Sequence, residues 1–172
     1  MALEVMSPAF AHEGEIPALY TCDGEVRSLA PALFTRDGED RSPALSWSGV
    51  PAGTKSLALI VEESDAPTPA LPRTAWVHWI LYNLPPRTAG ISEAVKPQNL
   101  PAGAHEGMND WKHARYDGPC SPVERHRYLF ELYALDTVLP GLNRPTGAEL
   151  QRAMQNHVLE QATLIGTYQR HG

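Results

Sequence analysis

The stretch Ser56–Asn83, SLALIVEESDAPTPALPRTAWVHWILYN, decides how this chain is read. Leu57-Ala58-Leu59-Ile60-Val61 is an uninterrupted apolar run of strand length, the pattern of a buried strand. It ends in Glu62-Glu63-Ser64-Asp65-Ala66-Pro67, so carboxylates arrive where pairing stops, and chemistry is expected at that edge. A proline-rich excursion through Pro69 and Pro72 leads to Trp76-Val77-His78-Trp79-Ile80-Leu81-Tyr82-Asn83. Its period of two predicts Trp76, His78, Ile80 and Tyr82 on one face, an imidazole among aromatics.

Outward from this stretch, the composition sets bounds. A chain of 172 residues, 42% of them hydrophobic, is long enough for one well-packed domain and short for two. Sixteen prolines and thirteen glycines punctuate short apolar runs, which predicts a mostly β architecture with little helix. The formal charge of -6 argues against long-range attraction to nucleic acid or an anionic membrane. No apolar stretch is long enough to span a bilayer, and no basic-then-apolar leader opens the chain, so a cytoplasmic protein is expected. Cys22 and Cys120 are far apart in sequence, and two free thiols are the reading for a reducing compartment.

Val5, Phe10 and Ile16, spaced by polar and small residues, predict an opening edge strand that leads into a loop. Ala18–Ser28 is then echoed by Ala32–Ser42, with eight of eleven aligned positions identical, and each copy runs on to Pro-Ala-Leu. This is a short tandem duplication within residues 18–45. Two near-copies cannot fill one slot, so one is expected as a surface loop, where doubling the length costs only about 0.6 kcal/mol. Val50-Pro51-Ala52-Gly53-Thr54 is turn chemistry, and 84–103 reads as a long connection with at most fragments of strand. His126, Tyr128, Phe130 and Leu132 alternate along one strand face. Thr146 with Glu149 is a capping-box signature, and Leu150, Met154 and Val158 recur at helical spacing, so a helix is expected there, packed on the sheets. Ala162–Tyr168 reads as a closing strand.

Five words carry a further reading: Ser64-Asp65-Ala66-Pro67, Trp76-Val77-His78-Trp79, Gly118-Pro119-Cys120, His126-Arg127-Tyr128 and Leu132-Tyr133-Ala134-Leu135-Asp136. In this order, and spanning most of the chain, they resemble the phosphatidylethanolamine-binding protein family, and more closely its bacterial Raf kinase inhibitor-like branch. The resemblance implies a single-domain antiparallel β-sandwich over 1–172, Greek-key-like, with a peripheral C-terminal helix. It implies a non-catalytic binding or regulatory protein, with a small pocket for phosphate, another small organic anion or a phosphorylated head group. The matching positions are Glu63, Asp65, Trp76, His78, Gly118, Pro119, His126 and Tyr128. It also brings Cys22 and Cys120 toward the same end of the fold, and it suggests a homodimer. Any protein partner is unknown, and no cofactor or integral membrane association is expected.

The chemistry of these residues fits an anion. Two imidazoles, a phenol and loop N–H groups donate hydrogen bonds, and nearby carboxylates are expected to keep the imidazoles oriented and partly protonated. Alone, His78 would read as a structural histidine and Glu63 with Asp65 as a solvated acidic turn. Two histidines and two carboxylates are suitable zinc or iron ligands, but the compact spacings of a metal site are absent, and no metal is expected. Where relatives have Asp-Pro-Asp-Ala-Pro this chain has Glu63-Ser64-Asp65-Ala66-Pro67, and Asp117 and Glu124 stand at common glycine positions. The added carboxylates are expected to weaken anion binding. Two alternatives differ in class: a small hydrolase or phosphotransfer enzyme with His78 or His126 as base beside Asp65, and an interaction or inhibitor module acting through surface loops. No nucleophile–base–orienter set demands an enzyme.

Overall fold

The computed structural model describes residues 2–21, 41–63, 76–119 and 126–168. The apolar run forms β4 (Ser56–Glu63), buried almost to its end because strands flank it on both edges and packing covers both faces. Leu57, Leu59 and Val61 point into one apolar cluster, and Ala58 and Ile60 into another. That is why the sequence does not alternate there.

Antiparallel neighbours of β4 are β5 (Trp76–Leu84) and β8 (His126–Leu135). Beyond β8 lies β9 (Val158–Tyr168), antiparallel to it, and then β2 (Gly14–Glu15), which runs parallel to β9. β7 (His105–Glu106) closes the edge beside β5, completing a six-stranded sheet. A three-stranded sheet of β1 (Glu4–Met6), β3 (Leu45–Ser48) and β6 (Gly90–Ile91) packs across it. Val5, Leu45, Trp47 and Ile91 of the small sheet share the first cluster with Leu59, Trp79 and Phe130 of the large one. β1 is the expected edge strand, and 84–103 carries, beyond the last residue of β5, only β6 and one 3-10 turn, Pro97–Asn99.

The opposite face of the large sheet is covered by α1 (Gly147–Met154), whose Leu150 and Met154 join Ile60, Ile80 and Leu135. Its capping box is formed: Glu149 N–H donates to Thr146 Oγ1 at 3.2 Å, and Thr146 N–H donates to Glu149 Oε1 at 2.9 Å. The helix stops short of Val158, however. Asn156 takes a left-handed backbone, φ 69°, and Val158 instead opens β9 opposite Leu135. The closing strand therefore begins earlier than Ala162. Among the described residues α1 is the one α-helix, and no helix is long and apolar enough to cross a membrane.

Most of the duplicated stretch, with both cysteines, lies outside the described residues. Its base is described: Arg41 N–H donates to the Leu19 carbonyl at 3.4 Å. The Tyr20 hydroxyl donates to Glu93 at 2.7 Å, and the Arg41 guanidinium meets the other oxygen of Glu93 at 3.1 Å. Burial first, and then Glu93, push the Tyr20 phenol up to about 12.

Candidate functional site

The end of β4 gathers residues from three strands. Glu63 is paired with Trp76 on one side and Tyr128 on the other, so the three stand in one row across the sheet. Tyr128 is buried, and Trp76, at 43% exposure, lies at the surface.

His78 reaches this row through an irregularity in β5. Val61 pairs with Trp79 but Glu62 pairs with Val77, leaving His78 as an extra residue with no partner position on β4. Such a bulge reverses the alternation beyond it and re-aims a side chain. The expected common face of Trp76, His78, Ile80 and Tyr82 is thereby corrected: Ile80 and Tyr82 face the helix with Val77. His78 instead meets Tyr128 edge-on, with ring centroids 5.3 Å apart, and Trp111 at 4.9 Å, while Trp111 meets Trp76 at 5.6 Å.

The loop 107–119 folds back onto β5 and fixes the imidazole. Asp110 N–H donates to the Val77 carbonyl at 3.0 Å, and its carboxylate accepts Val77 N–H at 2.7 Å. Asp117 N–H donates to the His78 carbonyl at 3.1 Å, and the Asp117 carbonyl lies 2.7 Å from His78 Nδ1. A carbonyl can only accept, so Nδ1 carries the proton. Nε2 is buried and has no hydrogen-bond partner among the described residues. Burial is the largest influence on the ring and lowers its pKa to about 4. It outweighs the upward pulls of the Asp117 carbonyl, the Asp117 and Asp110 carboxylates and Gly118. The expectation of a partly protonated imidazole is therefore corrected for His78, which is neutral at pH 7.

Asp117 does not act as a bare carboxylate either. It accepts hydrogen bonds from Asn109 Nδ2 at 2.7 Å, His113 Nδ1 at 2.8 Å and Arg115 Nε at 3.0 Å. Burial pushes its pKa up, but these donors prevail and hold it below the usual carboxylate range. Asn109 also donates to the carbonyls of His78 and Arg115, and its Oδ1 accepts from the N–H groups of Trp111 and His113. Sequence reasoning missed Asn109 and Trp111 as site builders. The Asn109-Asp110 pair is a turn signal that could have marked the fold-back.

Of the eight expected residues, Glu63, Trp76, His78 and Tyr128 come together, and Gly118 and Pro119, both buried, follow directly on Asp117. The backbone of His126 opens β8 opposite Tyr168, two residues from Tyr128. Asp65 and Glu124 lie outside the described residues. Two surface cavities, of about 490 Å³ beside α1 and about 330 Å³ beside Tyr82, do not include His78, Trp76 or Tyr128 in their walls. Among the described residues no group of three or more His, Cys, Asp or Glu side chains is placed to hold a metal.

The family model described as phosphatidylethanolamine-binding protein matches residues 6–169. The chain belongs to the phosphatidylethanolamine-binding protein family. A UPF0098 protein of Methanothermobacter thermautotrophicus is 42% identical over 98% of this chain and 99% of its own length. One from Chlamydia pneumoniae is 38% identical over 98% and 99%. A crystallised phosphatidylethanolamine-binding protein homologue from Chlamydia trachomatis superposes with a TM-score of 0.81 at 36% identity, covering 99% of each chain. The Escherichia coli protein YbcL, described as a member of the mammalian family, gives 0.83 at 28% identity over 99% and 100%. Membership supports a binding or regulatory role.

Proposed function

We propose that this chain is a non-catalytic binding protein that takes phosphate-type anions, free or as phosphorylated head groups, at the row Trp76–Glu63–Tyr128. The observation that carries the reading is His78: a buried polar ring nitrogen, Nε2, left without a partner beside an exposed aromatic pair. Buried polar atoms are nearly always satisfied, and one that is not, at a sheet end, suits a ligand. The chain's own Asp117, paired with the Arg115 guanidinium and hydrogen-bonded by His113 and Asn109, opposes an anion less than its bare charge suggests.

Titration of phosphate and phosphoethanolamine into the protein, followed by the imidazole NMR signals of His78 and His126, tests this, with His126→Ala as control. Saturable shifts of both rings are expected, with the His78 shift lost in the variant and no turnover of the phosphoethanolamine. Silence of both rings at millimolar anion would refute the reading.

A further inference from the structure

The tautomer of His78 constrains what can bind beside it. Its Nδ1–H is spent on the Asp117 carbonyl at 2.7 Å, and the strap that bears this carbonyl is itself tied back by Asp117 N–H to the His78 carbonyl at 3.1 Å. Asn109 holds the same strap through the Asp117 carboxylate. The ring therefore cannot flip its proton to the other nitrogen without breaking a buried hydrogen bond. Nε2, the unpartnered atom, offers a lone pair. A fully ionised oxygen placed there would set lone pair against lone pair in a desolvated site, which is repulsive.

We propose that the site selects ligands that bring their own proton: a P–OH group donates to His78 Nε2, so hydrogen phosphate and phosphomonoesters are accepted, and sulfate and phosphodiesters are refused. This rests on the reading that phosphate-type anions bind beside His78. A monoester at neutral pH still has a P–OH in part of its population, because its second dissociation lies near about pH 6. A diester anion and sulfate have none. Burial of the ring, which keeps it neutral, acts in the same direction. The groups facing the imidazole are Tyr128 and Trp111 by their rings, the Asp117 and Gly118 backbone, and the Asp110 and Asp117 carboxylates.

Methyl phosphate, dimethyl phosphate, inorganic phosphate and sulfate are titrated calorimetrically into the full chain at pH 5.5, 7 and 8. The His78 nitrogens are followed in parallel by long-range proton–nitrogen NMR. Methyl phosphate and inorganic phosphate should bind at least about tenfold more tightly than their proton-free counterparts at pH 5.5; above the second dissociation the affinity of methyl phosphate should fall by about tenfold per pH unit, whereas inorganic phosphate, which still has one P–OH as the dianion, should not follow that fall. Nε2 should keep the signal of an unprotonated ring nitrogen that accepts a hydrogen bond. His78→Asn, which keeps a donor for the Asp117 carbonyl but lacks Nε2, should lose the discrimination. Equal affinity for phosphate and sulfate, or a bound state with Nε2 protonated, would overturn the inference while leaving the anion site standing. No saturable binding of any of the four would overturn both.

Discussion

Replacing His78 by Asn isolates the stability linked to its buried ring. In the folded chain the imidazole is neutral down to about pH 4, whereas the unfolded chain protonates it near its ordinary 6.5. Between those values the unfolded state holds more protons, so stability rises with pH through the window: full above 6.5, declining below it, and exhausted once pH reaches the folded value. Each tenfold change in proton affinity is about 1.4 kcal/mol, so the whole window carries about 3 kcal/mol, of which about 2 kcal/mol is gone by pH 5. No discount for solvent screening applies, because only 2% of His78 is exposed. Urea unfolding of both proteins, in buffers free of phosphate, is measured at steps from pH 7.5 to 5. The wild type should lose about 2 kcal/mol more than His78→Asn, whose side chain does not titrate; the other six histidines cancel in the difference. Parallel profiles, or an NMR midpoint for His78 near 6.5, would refute the reasoning.

Thr146→Ala removes half of the capping box of α1 and should lower stability by about 1 kcal/mol by urea midpoint, with phosphate binding unchanged. Gly166→Ala would put a methyl 2.6 Å from Ile16 Cγ1 and 2.8 Å from Phe10 Cε2, and should cost about 1–3 kcal/mol in thermal unfolding. In Asp117→Ala the bonds from His113 and Arg115 count little because those side chains are 45% and 63% exposed, but Asn109 loses a buried acceptor. A loss of about 2 kcal/mol, with shifted His78 ring signals, is expected, and an unchanged spectrum would deny the strap its role. Deleting Cys22–Thr35, one repeat length, should leave the stability measured by urea unfolding within about 1 kcal/mol and the His78 signals in place.

The parts of the fold that were legible are those whose signal is local. Leu57–Val61 declares itself a strand buried on both faces because a polar residue at any of these positions would face one core or the other. Tyr128, Phe130 and Leu132 alternate because the other side of β8 is less closely covered. The start of α1 was legible from Thr146 and Glu149, since a cap needs only neighbours in sequence. Its end was not: Val158 sits at helical spacing from Met154, and only pairing with Leu135 across the sheet makes it a strand residue. At the candidate site, the placing of His78 on a strand beside aromatics was legible and its geometry was not. No residue in Trp76-Val77-His78-Trp79 marks the bulge, which exists because β4 and β5 must match both above and below it. The charge state of His78 depends on desolvation by Trp111, Tyr128 and the strap, all distant in sequence, and that outweighs the carboxylates that sequence reasoning counted.

The described ends of the duplicated word lie together at one place on the fold. The described residues begin with the front of the first copy, Ala18–Thr21, and resume with the end of the second, Arg41 and Ser42. These ends meet through Arg41 N–H on the Leu19 carbonyl, and through Tyr20 and Arg41 sharing Glu93. A chain that leaves and returns at one place can gain a repeat there at little entropic cost. The choice of copies matters chemically. Phe34, the second copy's counterpart of Tyr20, has no hydroxyl to donate to Glu93, so the first copy is the one that can close the base. Tyr20 then does a second job: its carbonyl accepts the Tyr116 hydroxyl at 2.7 Å, and Tyr116 packs edge-on against Trp79. Tyr116 directly precedes Asp117, whose carbonyl fixes the His78 proton. Glu93, Tyr20, Tyr116 and Asp117 are thus linked in a short chain of hydrogen bonds and one peptide bond that ends at the carbonyl holding the His78 proton.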